Sequence, residues 1–162
     1  MNIPEGPQVE TWLSKDVPDY VESNLPAMER DWMVTGYSTG GWCAAMLALK
    51  HPELYRATSP IAAYYAPEFP FLTTTVERRA LRSSYDILGL AKARNKPLNM
   101  YLVTSTGDAS SYKSTMDFYN HVGSGHNVEL LLLQGGGHNF STWRPAITDI
   151  LKFFGTEMKS IN

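Results

Sequence analysis

A serine between two glycines is the residue of this chain best placed for covalent chemistry. Ser38 lies in Gly36-Tyr37-Ser38-Thr39-Gly40, a G-x-S-x-G motif. The apolar residues 32–34 before it are typical of a buried strand, and the apolar run 42–49 after it favours a helix. A strand, a sharp turn and a helix are the context in which this motif presents a nucleophilic serine. The alternative is a Gly/Ser turn with a purely structural role.

A nucleophilic serine needs a base to remove its proton, and the chain contains four histidines. His138 follows an apolar stretch and three consecutive glycines, which allow the backbone to bring an imidazole towards Ser38. We therefore expect His138 to be the base; the alternative is an ordinary loop histidine. Of the other histidines, His51 is expected to cap a helix end. His121 and His126 are expected to lie on the surface.

A carboxylate must also hold the imidazole in the correct tautomer and stabilise its protonated form. Asp108 follows a predicted strand and lies between Ser38 and His138 along the chain. Asp108 is therefore the favoured acid; the alternative is an aspartate in a Gly-Asp turn, which is a common pairing. Three other aspartates lie in predicted helices or in an irregular segment and are less suited: Asp117, Asp149 and Asp86.

Strand-like and helix-like segments alternate along the chain. Besides the strand before Ser38, strands are predicted near residues 57–62, 98–104 and 128–133, and helices near 11–24, 77–93, 110–122 and 142–154. This alternation predicts an α/β fold, a mostly parallel sheet with helices on both faces. Ser38, Asp108 and His138 each follow a strand. Because sites in such sheets lie beyond the carboxyl ends of the strands, all three are expected on one rim.

Length and composition limit the remaining possibilities. A chain of 162 residues predicts a single domain, 1–162, in which the irregular stretch 66–97 forms a cap or pocket excursion. The net charge of −2 and the absence of a basic run argue against a nucleic-acid partner. No signal or membrane-spanning segment is recognisable, and the single Cys43 is expected to be a small core residue.

Taken together, the motifs resemble the esterase D and mycolyltransferase-like branch of the α/β-hydrolases. The matching pieces are residues 11–18, 36–41, 51–55, 104–108 and 136–138. They cover nearly the whole chain, and the order Ser, Asp, His is that of the α/β-hydrolases. The resemblance implies a serine carboxylesterase or acyltransferase with Ser38 as nucleophile, Asp108 as acid and His138 as base. It implies no metal and no organic cofactor. It also suggests the cell envelope, with the cytoplasm as the alternative location.

The chain departs from that family before the serine. Family members carry several more strands there, and the loop after one of them supplies a second oxyanion-hole N–H. In this chain we expect only the N–H of Thr39, and losing one such donor costs about 10²–10³ in rate. The strand before Ser38 would also become an exposed sheet edge. These features predict the C-terminal portion of a longer domain, with a missing N-terminal segment or a second copy covering that edge.

Three functions remain open at this point. The first is hydrolysis of an acyl ester, of a small molecule, a lipid or a sugar, through an acyl-enzyme on Ser38. The second passes the same acyl group to a sugar or lipid hydroxyl instead of water. The third is a non-catalytic binding or assembly module, because part of the family's sheet is absent from this chain.

Overall fold

Four strands form one parallel sheet in a computed structural model, which describes residues 1–29, 31–66 and 75–159. The strands are β1 (Trp32–Tyr37), β2 (Tyr55–Ile61), β3 (Asn99–Ser105) and β4 (Asn127–Leu133). They lie side by side in the order β1-β2-β3-β4, so that β1 and β4 are the two edges. The predicted α/β class and the parallel sheet are therefore confirmed, and each predicted strand is found within a few residues of its expected position.

Helices connect the strands and cover both faces of the sheet. They are α1 (Val9–Thr11), α2 (Val17–Asn24), α3 (Thr39–Lys50), α4 (Val76–Ser83), α5 (Ile87–Lys92), α6 (Ala109–His121), α7 (Phe140–Trp143) and α8 (Ile147–Lys159). One face packs against α3, α5 and α6 around a core that includes Met46, Leu102 and Phe118. The other face packs against α7 and α8 around Val103 and Ile150. Helix α3 is apolar on nearly every side, as is typical of a helix that is buried on nearly every side.

Two of the predicted helices are interrupted, and a proline explains each interruption. The expected helix 142–154 is instead α7, a 3₁₀ turn at Arg144–Ala146 and α8, which begins after Pro145. The expected helix 11–24 contains a π-helical turn, Trp12–Asp16, directly before Pro18. Because proline has no N–H and crowds the preceding turn, a regular α-helix cannot pass through either position unchanged.

The excursion 66–97 is described only in part. Its residues 75–97 include α4 and α5, as the sequence predicted, whereas residues 67–74 lie outside the described residues. The expectation that this excursion forms a cap or a pocket stays a prediction. Over the described ranges, no helix is long and apolar enough to cross a membrane.

Candidate active site

Ser38 lies in a strained turn between β1 and α3. Its φ is 56° and its ψ is −124°, a region that residues with a side chain rarely adopt. Backbone hydrogen bonds hold it there: the Ser38 N–H donates to the carbonyl of Ile61 at 2.8 Å, and the Ser38 carbonyl accepts from Gly41 N at 3.0 Å. The turn therefore presents the Ser38 hydroxyl at the carboxyl edge of the sheet, and the sheet and the helix together stabilise its strained backbone.

The glycines around Ser38 do not have equal roles. A Cβ on Gly36 would lie 2.4 Å from the carbonyl oxygen of Gly40, which is too close for any side chain. A Cβ on Gly41 would lie 3.0 Å from the Cβ of Ala63 and from the Ile61 carbonyl oxygen. A Cβ on Gly40 would meet nothing within 4 Å. The close approach of strand and helix thus requires Gly36 and disfavours a side chain at Gly41, a residue that the sequence reading did not single out.

The structure brings Ser38, His138 and Asp108 together in one chain of hydrogen bonds. The Nε2 atom of His138 lies 2.9 Å from Ser38 Oγ, and its Nδ1 atom lies 2.5 Å from Asp108 Oδ2. Asp108 is 5% exposed and accepts at Oδ2, so we assign the Nδ1–H tautomer to His138. In that tautomer Nε2 is free to accept the proton of the Ser38 hydroxyl.

A second hydroxyl, which sequence reasoning missed, holds the carboxylate. Ser111 Oγ donates to Asp108 Oδ2 at 2.6 Å, and Ser111 is itself buried. Burial by itself would raise the pKa of Asp108, but the hydrogen bonds from Ser111 and then from His138 outweigh it and hold this pKa below its ordinary value. The signal was present in the sequence, because a residue three positions after Asp108 faces it across the first turn of α6.

Aromatic side chains lie against the imidazole and include the residue before Ser38. The ring of His138 meets the buried Trp143 edge-on, with centroids 4.8 Å apart. Tyr37, the residue before Ser38, lies 5.2 Å from the same Trp143 and 6.2 Å from Phe140. Tyr37 and Phe140 are 54% and 55% exposed, so they present an apolar surface directly beside Ser38.

The backbone N–H of Thr39 is the oxyanion donor expected from the sequence. Thr39 is the first residue of α3, so its N–H has no acceptor within the helix. The helix dipole also places partial positive charge at this end, next to Ser38. This position suits the stabilisation of a negatively charged oxygen, and that role remains a proposal.

The other histidines lie away from this cluster, and one of them differs from expectation. His51 is the C-cap residue of α3, as expected, and its backbone N–H donates to the Leu47 carbonyl at 2.8 Å, while its Nε2 lies 3.0 Å from Glu10 Oε1. His126 is only half-exposed: its Nδ1 accepts from Leu98 N at 3.2 Å and its Nε2 lies 3.0 Å from the carbonyl of Ala91. The sequence could not show these partners. His121 is exposed, as expected.

A cavity of about 600 Å³ lies beside the acid. Its lining includes Tyr65, Leu88, Lys113 and Ser110, and Ser110 Oγ is 3.4 Å from Asp108 Oδ1. Its volume is within the range of small-molecule pockets. Within the described part of the chain, no group of three or more His, Cys, Asp or Glu side chains could hold a metal ion.

Comparison with known proteins identifies the family. The family model described as "Putative esterase" matches residues 2–154, and the chain therefore belongs to this esterase family. A curated relative, an uncharacterized protein of Corynebacterium glutamicum, is 23% identical over 159 residues. That match covers 90% of this chain but 37% of the relative.

Solved structures share the fold. An S-formylglutathione hydrolase from Agrobacterium tumefaciens has a TM-score of 0.76 at 22% identity, and the match covers 93% of this chain and 57% of that one. FphF, a fluorophosphonate-binding serine hydrolase of Staphylococcus aureus, has a TM-score of 0.76 at 19% identity, over 95% of this chain and 66% of that one. Mycobacterium tuberculosis MPT51 has a TM-score of 0.67 at 19% identity, over 91% of this chain and 68% of that one. The α/β-hydrolase fold is thus confirmed, and the chain spans about 57% of the Agrobacterium enzyme.

Proposed function

We propose that this chain carries the catalytic residues of a serine carboxylesterase, alone or as part of a longer protein. The observation that carries the proposal is the continuous chain of hydrogen bonds Ser38–His138–Asp108, which starts at a strained serine on the rim of the sheet. Membership of the esterase family supports the same reaction class. Nucleophile, base and acid have the mutual contacts that acyl transfer through serine requires.

The reaction has two halves. Ser38 Oγ attacks the ester carbonyl carbon while His138 Nε2 accepts the hydroxyl proton. Asp108 stabilises the imidazolium that forms, and the carbonyl oxygen becomes an oxyanion. The C–O bond to the alcohol then breaks, His138 returns the proton to the leaving alkoxide, and the acyl group remains on Ser38. Water, deprotonated by His138, attacks the acyl-enzyme and releases the carboxylic acid, and the proton returns to Ser38.

The oxyanion needs donors, and we propose the Thr39 N–H as one of them. A second N–H would come from a segment outside this chain, as the resemblance to longer family members suggests. The same segment, or a second copy of the chain, would pair with the edge of β1 that no other described strand covers. The N–H groups of Trp32 and Ser38 donate towards β2, so the alternation of a parallel strand turns the N–H and C=O groups of Met33, Thr35 and Tyr37 to that edge. A segment at that edge would lie close enough to Ser38 to complete the site.

A fluorophosphonate probe tests the proposal directly, since it reacts with serines that a neighbouring base activates. FphF is described as fluorophosphonate-binding, and we expect covalent labelling of Ser38 here as well. Ser38→Ala should abolish both labelling and hydrolysis of a nitrophenyl ester, whereas Ser141→Ala, a serine that contacts Asn139 and not His138, should leave both unchanged. If the protein is not labelled at Ser38, the esterase proposal is wrong.

Acyl transfer is a second candidate, favoured by the exposed pair Tyr37 and Phe140. This apolar surface beside Ser38 could seat a long acyl chain or exclude water from the acyl-enzyme, which would favour a sugar or lipid hydroxyl as acceptor. The two reactions separate in one experiment: the ratio of transfer product to free acid is measured with and without a sugar acceptor. An unchanged yield of free acid would exclude transfer.

The third candidate is a binding or assembly module, favoured by the edge of β1, which pairs with no second strand among the described residues. It predicts that the chain binds a glycan or a second protein with equal affinity before and after Ser38→Ala, with no turnover in either form.

Location in the cell envelope, rather than the cytoplasm, stays a prediction from the resemblance alone.

A further inference from the structure

Two short segments carry the acid and the base. The acid turn, residues 105–108, follows β3, and the base loop, residues 134–138, follows β4. These strands are neighbours, and their pairing ends at Ser105 opposite Leu133. Beyond that point the regular ladder of hydrogen bonds stops, so that other contacts must set the distance between Asp108 and His138.

Ser105 supplies those contacts through one hydroxyl. It is fully buried, at 0% exposure. Its Oγ accepts from the N–H of Gly107 at 3.2 Å, within the acid turn. The same Oγ donates to the carbonyl of Gly135 in the base loop and lies 3.2 Å from the carbonyl of Gly136. A single hydroxyl therefore touches both segments and uses its donor and its acceptor capacity on opposite sides.

Thr106 and Gly107 also contact the base loop. Thr106 Oγ1 accepts from Gly135 N at 2.8 Å, and Thr106 N donates to the Leu133 carbonyl at 3.0 Å. The two backbones approach so closely that a Cβ on Gly107 would lie 2.0 Å from the carbonyl oxygen of Gly136. The base loop is therefore packed directly on the acid turn.

The base loop depends on these contacts because its glycine-rich backbone does not by itself favour one conformation. Gly135 and Gly136 have φ values of 67° and 79°, which glycine adopts without strain but which leave the loop many other conformations. His138 lies only two residues further on, and its Nε2 must stay near Ser38 Oγ. Any movement of Gly136 would consequently move the imidazole.

We propose that Ser105 is a positioning residue that holds the base loop against the acid turn and thereby keeps His138 aligned with both Ser38 and Asp108. The inference rests on the proposed function, since it assigns the alignment a role in ester cleavage. Ser105 does not touch the substrate. It acts through the carbonyls of Gly135 and Gly136.

Ser105→Ala tests the proposal in the full-length protein, with Ser59→Ala as the matched control. Ser59 is also buried at 0% exposure, on the next strand, and its Oγ donates to the Tyr101 carbonyl at 2.8 Å, away from both segments. We expect Ser105→Ala to lower kcat about 10–100-fold with KM nearly unchanged, because small misplacements of catalytic groups cost about that much. Ser59→Ala should lower the melting temperature to a similar extent but leave kcat within about twofold.

A spectroscopic readout keeps the test independent of turnover. In the wild type, the proton between His138 Nδ1 and Asp108 should give a strongly downfield proton NMR signal. That signal should weaken or disappear in Ser105→Ala and persist in Ser59→Ala. Thr106→Val, at an exposed position, offers a second variant and should give a smaller loss of kcat.

The outcomes separate the two levels of the proposal. If Ser105→Ala and Ser59→Ala have the same kcat and both retain the downfield signal, the positioning role is wrong while the esterase proposal stands. If wild-type protein shows no activity that Ser38→Ala abolishes, the proposed function fails. In that case the NMR comparison still reports whether Ser105 aligns His138.

Discussion

Asp108 owes its ionised state at the site to a neighbouring hydroxyl as much as to the histidine. Its pKa lies below the ordinary value of 3.8 although it is buried, because Ser111 and His138 both donate to Oδ2. A carboxylate that stays ionised can orient the imidazole and stabilise its charged form throughout the physiological pH range. Ser111 therefore belongs to the candidate site together with Ser38, Asp108 and His138, although no sequence motif pointed to it.

Ser111→Ala should expose this dependence. Without its hydroxyl, Asp108 loses one of the two hydrogen bonds that orient its Oδ2, so that kcat/KM should fall about tenfold at neutral pH, and the Asp108 pKa rises towards its ordinary value. The free energy of unfolding also depends on this group. Because the folded-state pKa of Asp108 is lowered, its ionised carboxylate stabilises the folded state above its unfolded-state pKa, and this stabilisation is lost as the pH falls through the folded-state pKa. The stability deficit of Ser111→Ala should therefore shrink in acid.

The control for that variant is Ser110→Ala. Ser110 is exposed and reaches Asp108 Oδ1 only at 3.4 Å. Activity against pH is measured for both variants with the same ester. Superimposable profiles for Ser111→Ala and Ser110→Ala would contradict the role given to Ser111.

At the scale of elements, the turn between β1 and α3 depends on close approach and not on glycine content alone. The G-x-S-x-G motif contains two glycines, but only Gly36 faces backbone at a distance that excludes a Cβ. Gly40 is exposed and would carry a methyl group without contact among the described residues. Sequence motifs treat the two positions alike, whereas the packing of strand on helix distinguishes them.

Gly36→Ala and Gly40→Ala should consequently behave differently. Gly36→Ala forces the Gly40 carbonyl away, which should reduce fluorophosphonate labelling of Ser38 by at least about tenfold and lower the melting temperature. Gly40→Ala should stabilise α3 by about 0.5–1 kcal/mol, because alanine loses less backbone entropy in a helix. Thermal unfolding and labelling rates measure both effects. Equal losses in the two variants would refute this account of the turn.

At the scale of the whole molecule, a buried carboxylate joins distant parts of the chain. Glu10, the buried residue of α1, forms an ion pair with Lys50 Nζ at 2.9 Å and contacts His51 Nε2 at 3.0 Å. It also accepts a hydrogen bond from the hydroxyl of Tyr85. Burial of Tyr85, and then this hydrogen bond, raise the pKa of Tyr85 to about 12. The N-terminal helices are thereby attached to the end of α3 and to the connection between α4 and α5.

Glu10→Gln should destabilise the fold in a pH-dependent manner. Burial alone would raise the pKa of Glu10, but the hydrogen bonds from Tyr85 and Lys50 bring it below its ordinary 4.5. The Glu10 carboxylate therefore stabilises the folded state above its ordinary pKa of 4.5. This stabilisation is lost as the pH falls through the lowered pKa of the folded state. At neutral pH the variant should lose about 1–3 kcal/mol of unfolding free energy, and the deficit should narrow in acid.

Glu53→Gln is the control for this prediction. Glu53 also faces His51, but at 3.6 Å and with its side chain 60% exposed, so its replacement should change stability little. Urea unfolding at neutral and at acidic pH measures both variants. A deficit of Glu10→Gln that grows as the pH falls would contradict the assigned sign.

Much of the architecture was predictable because its signals are local. Alternating apolar strands and helices predicted the parallel sheet, and the apolar run after Ser38 predicted α3. The interruptions at Pro18 and Pro145 were missed, although proline is itself a local signal, because apolar periodicity continued through both positions. At the site, the residue types and their order pointed to Ser38, Asp108 and His138 before any geometry was known.

The contacts that hold those residues in place depend on how distant segments pack and could not be predicted. Ser105 with Gly135, Gly107 with Gly136, His126 with Leu98 and Glu10 with Tyr85 join residues between 28 and 75 positions apart. Whether such residues meet depends on strand register and on the path of intervening loops, which no local pattern encodes. Local sequence patterns were enough to predict which chemical groups are available and which strand ends carry them, because turn chemistry and periodicity act over a few residues. The packing of neighbouring loops determined which groups touch, because that distance is a property of the assembled sheet.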